Sequence, residues 1–255
     1  MVYIFDGTKN GFLTAFLQAF QDENALLTSK QTQLSLGETP ICITTDDEKA
    51  KKAENRLLCF DKGCMYDLDS LLRCGQEDNE QTAFEYLRFL AQIKRPVRKQ
   101  FAAPCVFKAV SYIKKVGLEI HHMHGFLRFM EMENGALYAS ITPDNDICDL
   151  LAVHFKVRLP EYPFVIHDIQ RKKATFYDGK TTFNAYLPHA DILISADEEA
   201  WQTLWKDYYK AVNIPSRERT KQMKNYMPVR YWKHLPEKQD DIQRQAAIKW
   251  QNDTN

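Results

Sequence analysis

The sequence predicts a mixed α/β protein of the α+β class, and three observations support this prediction. Short apolar strands alternate with amphipathic helices in the N-terminal part, which is typical of an α/β region. Two hairpin patterns follow further along the chain, and a helical pattern separates them. We therefore expect an α/β N-terminal region over residues 1–95. Residues 96–255 are expected to form an α+β domain around a four-stranded antiparallel sheet, ordered hairpin, helix, hairpin, with helices on one face.

The N-terminal region begins with two strand-helix units. In the first, an apolar strand reaches an Asp6-Gly7 turn, and apolar side chains then repeat at helical spacing. In the second, Thr45 or Asp46 precedes a charged amphipathic segment and is the expected N-cap. The predicted elements are a strand at 2–5, a helix at 12–20, a strand at 40–44, and helices at 48–60, 66–73 and 81–93. We expect the two strands to lie side by side with helices packed on them.

A basic segment at residues 94–99 interrupts this pattern. It holds four basic residues around Pro96, and a proline in this setting ends a helix. We place the predicted domain boundary there. Beyond it, apolar side chains between residues 104 and 116 fall at helical spacing, so a helix is expected to lead into the histidine-rich run that follows.

The first hairpin pattern surrounds Asn134-Gly135, the preferred dipeptide of a two-residue type I′ turn. Its strands are expected at residues 126–133 and 136–141. Counting outward from the turn gives the pairs Glu133–Ala136, Met132–Leu137, Met130–Ala139 and Arg128–Ile141. This register puts Arg128 on the apolar face of the hairpin, where a guanidinium group needs an acceptor. We expect Arg128 to be mostly buried and paired with Asp168.

A helix and a second hairpin complete the predicted domain. Asp144 or Asp146 is the expected N-cap of a helix whose apolar side also carries His154 and Arg158. Strands are predicted at 164–169 and 174–177, with the basic residues 171–173 as their turn, and a final amphipathic helix at 197–212.

Composition excludes several classes of protein. The 255 residues hold 34 acidic and 34 basic side chains, so binding to an anionic partner has to come from local charge asymmetry. No apolar run approaches the roughly 18 residues of a membrane-spanning helix, and the N-terminus lacks the pattern of a secretory signal. We therefore expect a cytoplasmic protein with no membrane partner. Six scattered cysteines without a Cys-x2-Cys pair indicate reduced thiols rather than disulfides or a metal site.

Polar side chains from separate elements of the central region are candidates for one site. The set comprises His121, His122, His124, Arg128, His154, Arg158, His167, Asp168 and Arg171. Acid/base chemistry would use the histidines at 121, 124, 154 and 167 together with Asp168. Adjacent strand residues point to opposite faces, however, so His167 and Asp168 cannot form a directly paired dyad.

Two other interpretations of this set remain open. A phosphate site would use Arg128, Arg158 and Arg171, because guanidinium groups bind phosphate oxygens in bidentate fashion. Alternatively, His154 and His167 are core residues, each with a satisfied hydrogen bond. The histidines lack the spacing of metal ligands, so we expect no bound metal and no cofactor.

A second candidate site is the basic stretch at residues 214–233. It holds six basic residues against one acidic residue, interleaved with aromatic residues. Such a composition is typical of a surface that follows a nucleic-acid backbone and stacks on its bases. The candidate contacts are Arg217, Arg219, Lys221, Lys224, Arg230, Tyr231 and Trp232. The competing interpretation is a solvated helix followed by aromatic residues that dock on the core.

Four ordered motifs cover nearly the whole chain. They are Tyr3-Ile4-Phe5-Asp6-Gly7-Thr8 with Gly11-Phe12-Leu13, then His121-x-Met123-x-Gly125-Phe126-Leu127-Arg128-Phe129, then His154-Phe155-x2-Arg158 with Ile166-His167-Asp168-x2-Arg171, and finally Met227-Pro228-x-Arg230-Tyr231-Trp232-Lys233. Together they resemble an uncharacterised bacterial family of probable DNA metabolism proteins. Members of that family are encoded beside a radical-SAM protein of DNA modification or repair, and some are fused to a uracil-DNA-glycosylase-like domain.

The resemblance implies DNA and the neighbouring radical-SAM protein as partners, with a uracil-DNA-glycosylase-like protein as a further one. The family pattern has basic residues at the positions of His122 and His124, which favours a general cationic role over a metal site. Two hypotheses follow. In the first, the chain is a nucleic-acid-binding accessory protein that presents DNA to the radical-SAM partner. In the second, it is a stand-alone hydrolase or lyase that acts on a modified base or nucleotide through the histidine cluster.

Overall fold

A computed structural model describes residues 1–29, 40–190, 193–212, 220–239 and 241–242, and for residues 220 and 221 it describes the backbone alone. The chain divides into two compact units, Met1–Gly117 and Leu118–Asn255. Helix α5 (Pro104–Phe126) begins in the first unit and ends in the second. The basic segment at 94–99 separates α5 from the preceding helix, and the division between the units comes later, at Gly117.

The first unit is an α/β layer around a three-stranded parallel sheet in the order β2-β1-β3. Its strands are β1 (Val2–Ile4), β2 (Leu26–Thr28) and β3 (Ile41–Cys42), and its helices are α1 (Lys9–Ala19), α2 (Asp47–Phe60), α3 (Cys64–Arg73) and α4 (Asn79–Ile93). The two strands predicted from the sequence are neighbours, as expected, and β2 is an additional one. Buried apolar side chains from all four helices form the core of this unit.

Local chemistry explains where these helices start and stop. The Asp46 carboxylate accepts a hydrogen bond from the amide of Lys49 at 3.0 Å, which confirms its predicted capping role at α2. Helix α4 ends at Lys94, whose φ of 55° is left-handed, directly before the predicted break at Pro96. At the start of α1, the Asp6 carboxylate lies so close to Gly11 that a methyl group there would overlap it.

The second unit contains a five-stranded mixed sheet in the order β4-β5-β6-β7-β8. The strands are β4 (Met130–Glu131), β5 (Leu137–Ile141), β6 (Phe164–Asp168), β7 (Lys173–Tyr177) and β8 (Thr182–Tyr186). The α+β class is confirmed, but the predicted four-stranded antiparallel sheet is wrong, because β5 and β6 pair in parallel. Helix α6 (Cys148–Arg158) connects them as a β-α-β crossover, which returns the chain to the same end of the sheet before the next strand.

The β4-β5 hairpin differs from the prediction by one residue. Met130 pairs with Tyr138 rather than Ala139, and the amide of Gly135 donates to the carbonyl of Met132 at 2.9 Å. Gly135 has a φ of 76°, so the connection is a three-residue loop closed by a left-handed glycine instead of a two-residue turn. A shift of one residue exchanges the two faces of a strand, so the predicted facing of the β4 side chains is also wrong.

The whole histidine-rich run lies on a helix. Helix α5 continues to Phe126, and its buried positions Val116, Glu119 and Met123 maintain helical spacing through the run. The strand predicted from Phe126 is therefore shortened to two residues. After β8 the described chain forms α7 (Glu198–Val212), α8 (Thr220–Tyr226) and two short 3₁₀ segments, Val229–His234 and Pro236–Lys238. Among the described residues, no helix combines the length and the apolar character needed to cross a bilayer.

Candidate functional site

The predicted histidine cluster is partly assembled. His124 of α5 and His154 of α6 stack face to face, with ring centroids 3.9 Å apart and planes 14° apart. Burial lowers the pKa of His124, and the neighbouring His154 and His121 lower it further. The Nε2 atom of His124 is buried and has no hydrogen-bond partner. Within the described part of the chain, no group of three or more potential ligand side chains could hold a metal ion.

His167 and Asp168 use their polar atoms in structural hydrogen bonds. His167 is buried in the sheet, where Nε2 donates to the Leu187 carbonyl at 2.9 Å and Nδ1 lies 2.7 Å from the Tyr138 hydroxyl. The fully buried Asp168 carboxylate accepts from the Arg171 guanidinium at 2.8 Å. Arg171 also donates to the carbonyls of Pro143 and Asp144. The arrangement matches the interpretation of His167 as a core histidine with satisfied hydrogen bonds.

Arg128 is partly buried and ion-paired, but its predicted partner is wrong. Its Nη2 atom lies 2.7 Å from the carboxylate of Glu237, 109 residues away in the chain, whereas Asp168 is paired with Arg171. The guanidinium stacks over the indole ring of Trp205 at 5.0 Å, and the Trp205 Nε1 atom donates to the same Glu237 carboxylate at 2.9 Å. The prediction missed this geometry because the helix extends to Phe126 and shortens the strand that was expected to carry Arg128.

A cleft of about 340 Å³ opens beside Arg128, and we call it the tryptophan cleft. Its lining consists of Arg128, Phe129, Glu131, Leu137, Glu198, Trp201, Gln202, Trp205 and Pro236. Trp201 is 55% exposed and Trp205 37% exposed, although they lie one turn apart on a helix with an apolar stripe. Glu198 is buried and accepts from the amide of Glu131 at 2.9 Å, which joins α7 to β4.

Glu119 is a buried carboxylate that sequence reasoning did not single out. It accepts hydrogen bonds from the amides of Asp144 and Asn145 at 2.8 Å each and from the Tyr231 hydroxyl at 2.5 Å. Arg230 lies 3.4 Å from Glu119 and 2.8 Å from the Asp144 carboxylate. A buried acid on an otherwise apolar helix stripe was the available signal. Glu119 thus holds the loop after β5 to the first 3₁₀ segment.

His234 is a second polar residue that the sequence did not reveal. Its Nδ1 atom lies 3.0 Å from the Ser140 hydroxyl and its Nε2 atom lies 3.1 Å from the Thr142 hydroxyl. Burial, and then the charge of Lys233, lower the pKa of His234 from 6.5 to about 4. The imidazole is neutral at neutral pH, so His234 is a hydrogen-bonding residue rather than a cation.

The basic C-terminal stretch is only partly as predicted. Trp232 is 1% exposed, with Nε1 donating to the Met227 carbonyl, and Tyr231 is also buried, so neither can serve as a stacking platform. The alternative of aromatic residues docked on the core applies to both. Arg230 is ion-paired, while Lys224 is exposed. The predicted contacts Arg217, Arg219 and the Lys221 side chain lie outside the described residues.

The remaining predicted residues are partly or fully exposed to solvent. Arg158 is exposed and His154 is half-buried. Arg158 follows the buried Leu151 and Phe155 at helical spacing, as predicted, but it is the last residue of α6 and its side chain reaches solvent. His121 is exposed on α5.

Most of the residues described above lie within a region that matches a known protein family. The profile of a domain of unknown function, DUF4130, matches residues 77–237, which is more than half of the chain. The chain belongs to the DUF4130 family. Neither the curated proteins nor the solved structures include a match of significant similarity. The matched range of the DUF4130 domain includes Glu119, Arg128, His234 and Glu237.

The ion pairs of the DUF4130 domain determine which of its arginine side chains are available to bind an anion. Arg128, Arg171 and Arg230 are each ion-paired to a carboxylate, so an incoming phosphate would have to displace an acid from any of them. The tryptophan cleft differs, because it offers half-exposed aromatic faces and the carboxylate of Glu131. A cleft that combines aromatic side chains with polar groups, here those of Arg128, Glu131, Glu198 and Gln202, is suited to binding a flat ring and orienting it by hydrogen bonds.

Proposed function

We propose that this protein is a nucleic-acid-binding accessory protein and that the tryptophan cleft accepts one unpaired base. The observation that carries the proposal is the half-exposed indole pair, Trp201 and Trp205, beside the planar guanidinium of Arg128. Aromatic and guanidinium planes are the usual stacking partners of unpaired bases. A cleft of about 340 Å³ lies within the size range of small-ligand sites.

The charges of the cleft restrict which part of a nucleic acid can enter. Glu131 and Glu198 repel phosphate, so the backbone would remain outside. A carboxylate accepts hydrogen bonds from an exocyclic amino group, which cytosine and adenine carry and thymine lacks. The proposal therefore includes a preference for amino-bearing bases, with Glu131 as the acceptor. Met223 of α8 and Tyr209 of α7 both contact Lys238, so α8 lies close to α7. The exposed Lys224 of α8 is the backbone contact that we propose among the described residues.

Oligonucleotide binding by variants tests the cleft. We expect Trp201→Ala to weaken binding of single-stranded oligo-dC by about tenfold, since stacking on one aromatic residue contributes about 1–3 kcal/mol per base. Leu204→Ala is the matched control, because Leu204 is exposed on the same helix but does not line the cleft. Oligo-dC should bind more tightly than oligo-dT, and Glu131→Gln should reduce this difference. Equal loss in both helix variants would refute a site in the cleft.

The DNA-repair or DNA-modification setting, with the radical-SAM protein as partner, is the second part of the proposal. Its support is the resemblance of the four motifs together with the exposed apolar stripe of α7, where Leu204, Tyr208 and Val212 continue beyond the cleft. Exposed stripes of this kind mark protein-protein interfaces. Leu204→Asp should abolish capture of the purified radical-SAM partner while leaving oligonucleotide affinity unchanged. Retained capture would exclude α7 as the docking surface.

The hydrolase or lyase alternative receives less support from the geometry. His167 and Asp168 are committed to structural hydrogen bonds, and the His124–His154 stack presents ring faces rather than paired nitrogen atoms. A general base has to reach its substrate proton within hydrogen-bond distance. The partnerless Nε2 atom of His124 is buried, which keeps it from such a role in this conformation.

A further inference from the structure

Strand β8 forms the outer edge of the second sheet, and within the described parts of the chain nothing blocks this edge from further pairing. All five of its residues, Thr182–Tyr186, are exposed, and no described strand pairs with its outer side. Phe183 is 53% exposed and Tyr186 72% exposed. Edge strands of monomeric proteins usually carry a lysine, a proline or a bulge that blocks another strand. None of these features interrupts β8.

The hydrogen-bond pattern shows which backbone groups of β8 are free to pair. The amide of Asp178 donates to the carbonyl of Thr181, and the amide of Leu187 donates to the carbonyl of Lys172, at the two ends of the β7-β8 ladder. Hydrogen-bonded pairs alternate along an antiparallel ladder, so Phe183 and Ala185 also bond inward to β7. The N–H and C=O groups of Thr182, Asn184 and Tyr186 consequently point away from the sheet.

We propose that β8 pairs antiparallel with β8 of a second copy of this chain, with Asn184 opposite Asn184 on the two-fold axis. In this register Thr182 faces Tyr186 of the other copy, and all three outward-pointing residues form hydrogen-bonded pairs. The pattern is self-complementary, as a two-fold symmetric interface requires. The two sheets join into one continuous sheet across the dimer.

The side chains also fit a second copy of the chain. Residues 181–188 contain no charged residue, so self-pairing places no like charges opposite each other. Phe176 and Phe183 already stack in parallel, with centroids 5.1 Å apart and planes 5° apart. In the proposed register Phe183 lies diagonal to Phe183 of the other copy, within reach of an aromatic contact. The interface thus continues the aromatic row across the two-fold axis.

A charge-swap experiment at Asn184 tests the register. Sedimentation of the wild-type chain should show an apparent mass that doubles with rising concentration. Asn184→Lys and Asn184→Glu should each be monomeric, because each places like charges directly opposite each other, and an equimolar mixture of the two should recover the dimer. Asn225→Lys is the matched control, since Asn225 is exposed on α8, and it should dimerise like the wild type.

Amide exchange in the wild-type chain, resolved by residue, provides a test that needs no variant. The amides of Thr182, Asn184 and Tyr186 should become protected as concentration rises, whereas those of Phe183 and Ala185 should change little, because they already bond to β7. A wild type that remains monomeric at all concentrations would overturn the proposal. So would Asn184 variants that dimerise individually, or protection that spares the three outward amides.

Discussion

Replacing Tyr231 by phenylalanine removes a hydroxyl group that donates to Glu119, a buried carboxylate with several hydrogen-bond donors around it. The Tyr231 hydroxyl donates to Glu119 at 2.5 Å and accepts from Arg230 at 2.7 Å. Burial raises the pKa of Tyr231, and the hydrogen bond to Glu119 raises it further, so the phenol stays protonated and acts as the donor. Phenylalanine fills almost the same space, so the substitution creates almost no cavity and removes only the two hydrogen bonds of the hydroxyl group.

The expected loss follows from the kind of bond that is broken. A hydrogen bond to a charged acceptor contributes about 1.5–3 kcal/mol, and both Tyr231 and Glu119 are buried, so water cannot replace the lost donor. Glu119 retains the amides of Asp144 and Asn145, which limits the damage. We expect a loss of about 2 kcal/mol in the free energy of unfolding. For a chain of this size this corresponds to a decrease of roughly 6 °C in Tm.

Urea denaturation followed by circular dichroism measures this loss, and Tyr226→Phe is the matched control. Tyr226 is 65% exposed, and a surface substitution there should change stability by less than about 0.5 kcal/mol. If both variants unfold at the wild-type urea midpoint, the Tyr231 hydroxyl does not reach Glu119 in solution. The inferred link between the loop after β5 and the C-terminal segment would then be incorrect.

Three further substitutions test other parts of the structure. The lowered pKa of His234 means that the unfolded wild type binds a proton more readily than the folded one, so its stability should fall by about 3 kcal/mol as the pH falls from 6.5 to 4. His234→Gln should flatten this pH dependence, and identical stability profiles for the variant and the wild type would contradict the prediction. Gly11→Ala should lower the free energy of unfolding, measured by urea denaturation, by about 1–3 kcal/mol, because the added methyl group overlaps the Asp6 carboxylate. Adding Asp6→Gly removes that overlap and should recover part of the loss. Trp232→Ala should cost about 3–5 kcal/mol, and an unchanged Tm would rule out its burial.

Much of the fold could be predicted from local patterns. The α+β class, the neighbouring strands β1 and β3, the Asp46 cap and the break after α4 depend on side-chain periodicity and on the properties of capping residues and proline. Such features are decided by residues a few positions apart. The position of the turn at Asn134-Gly135 was correct for the same reason, because the dipeptide favours a reversal of the chain.

Tertiary structure alone decided the details of the candidate site. The one-residue shift in the β4-β5 hairpin, the pairing of Arg128 with Glu237 and the role of Glu119 involve loop closure or partners about a hundred residues apart. Periodicity reports which face of an element is buried, but not which distant acid reaches a buried arginine. Local sequence therefore determined the elements, while the need of buried and partly buried charges such as Glu119 and Arg128 for a partner determined contacts between them.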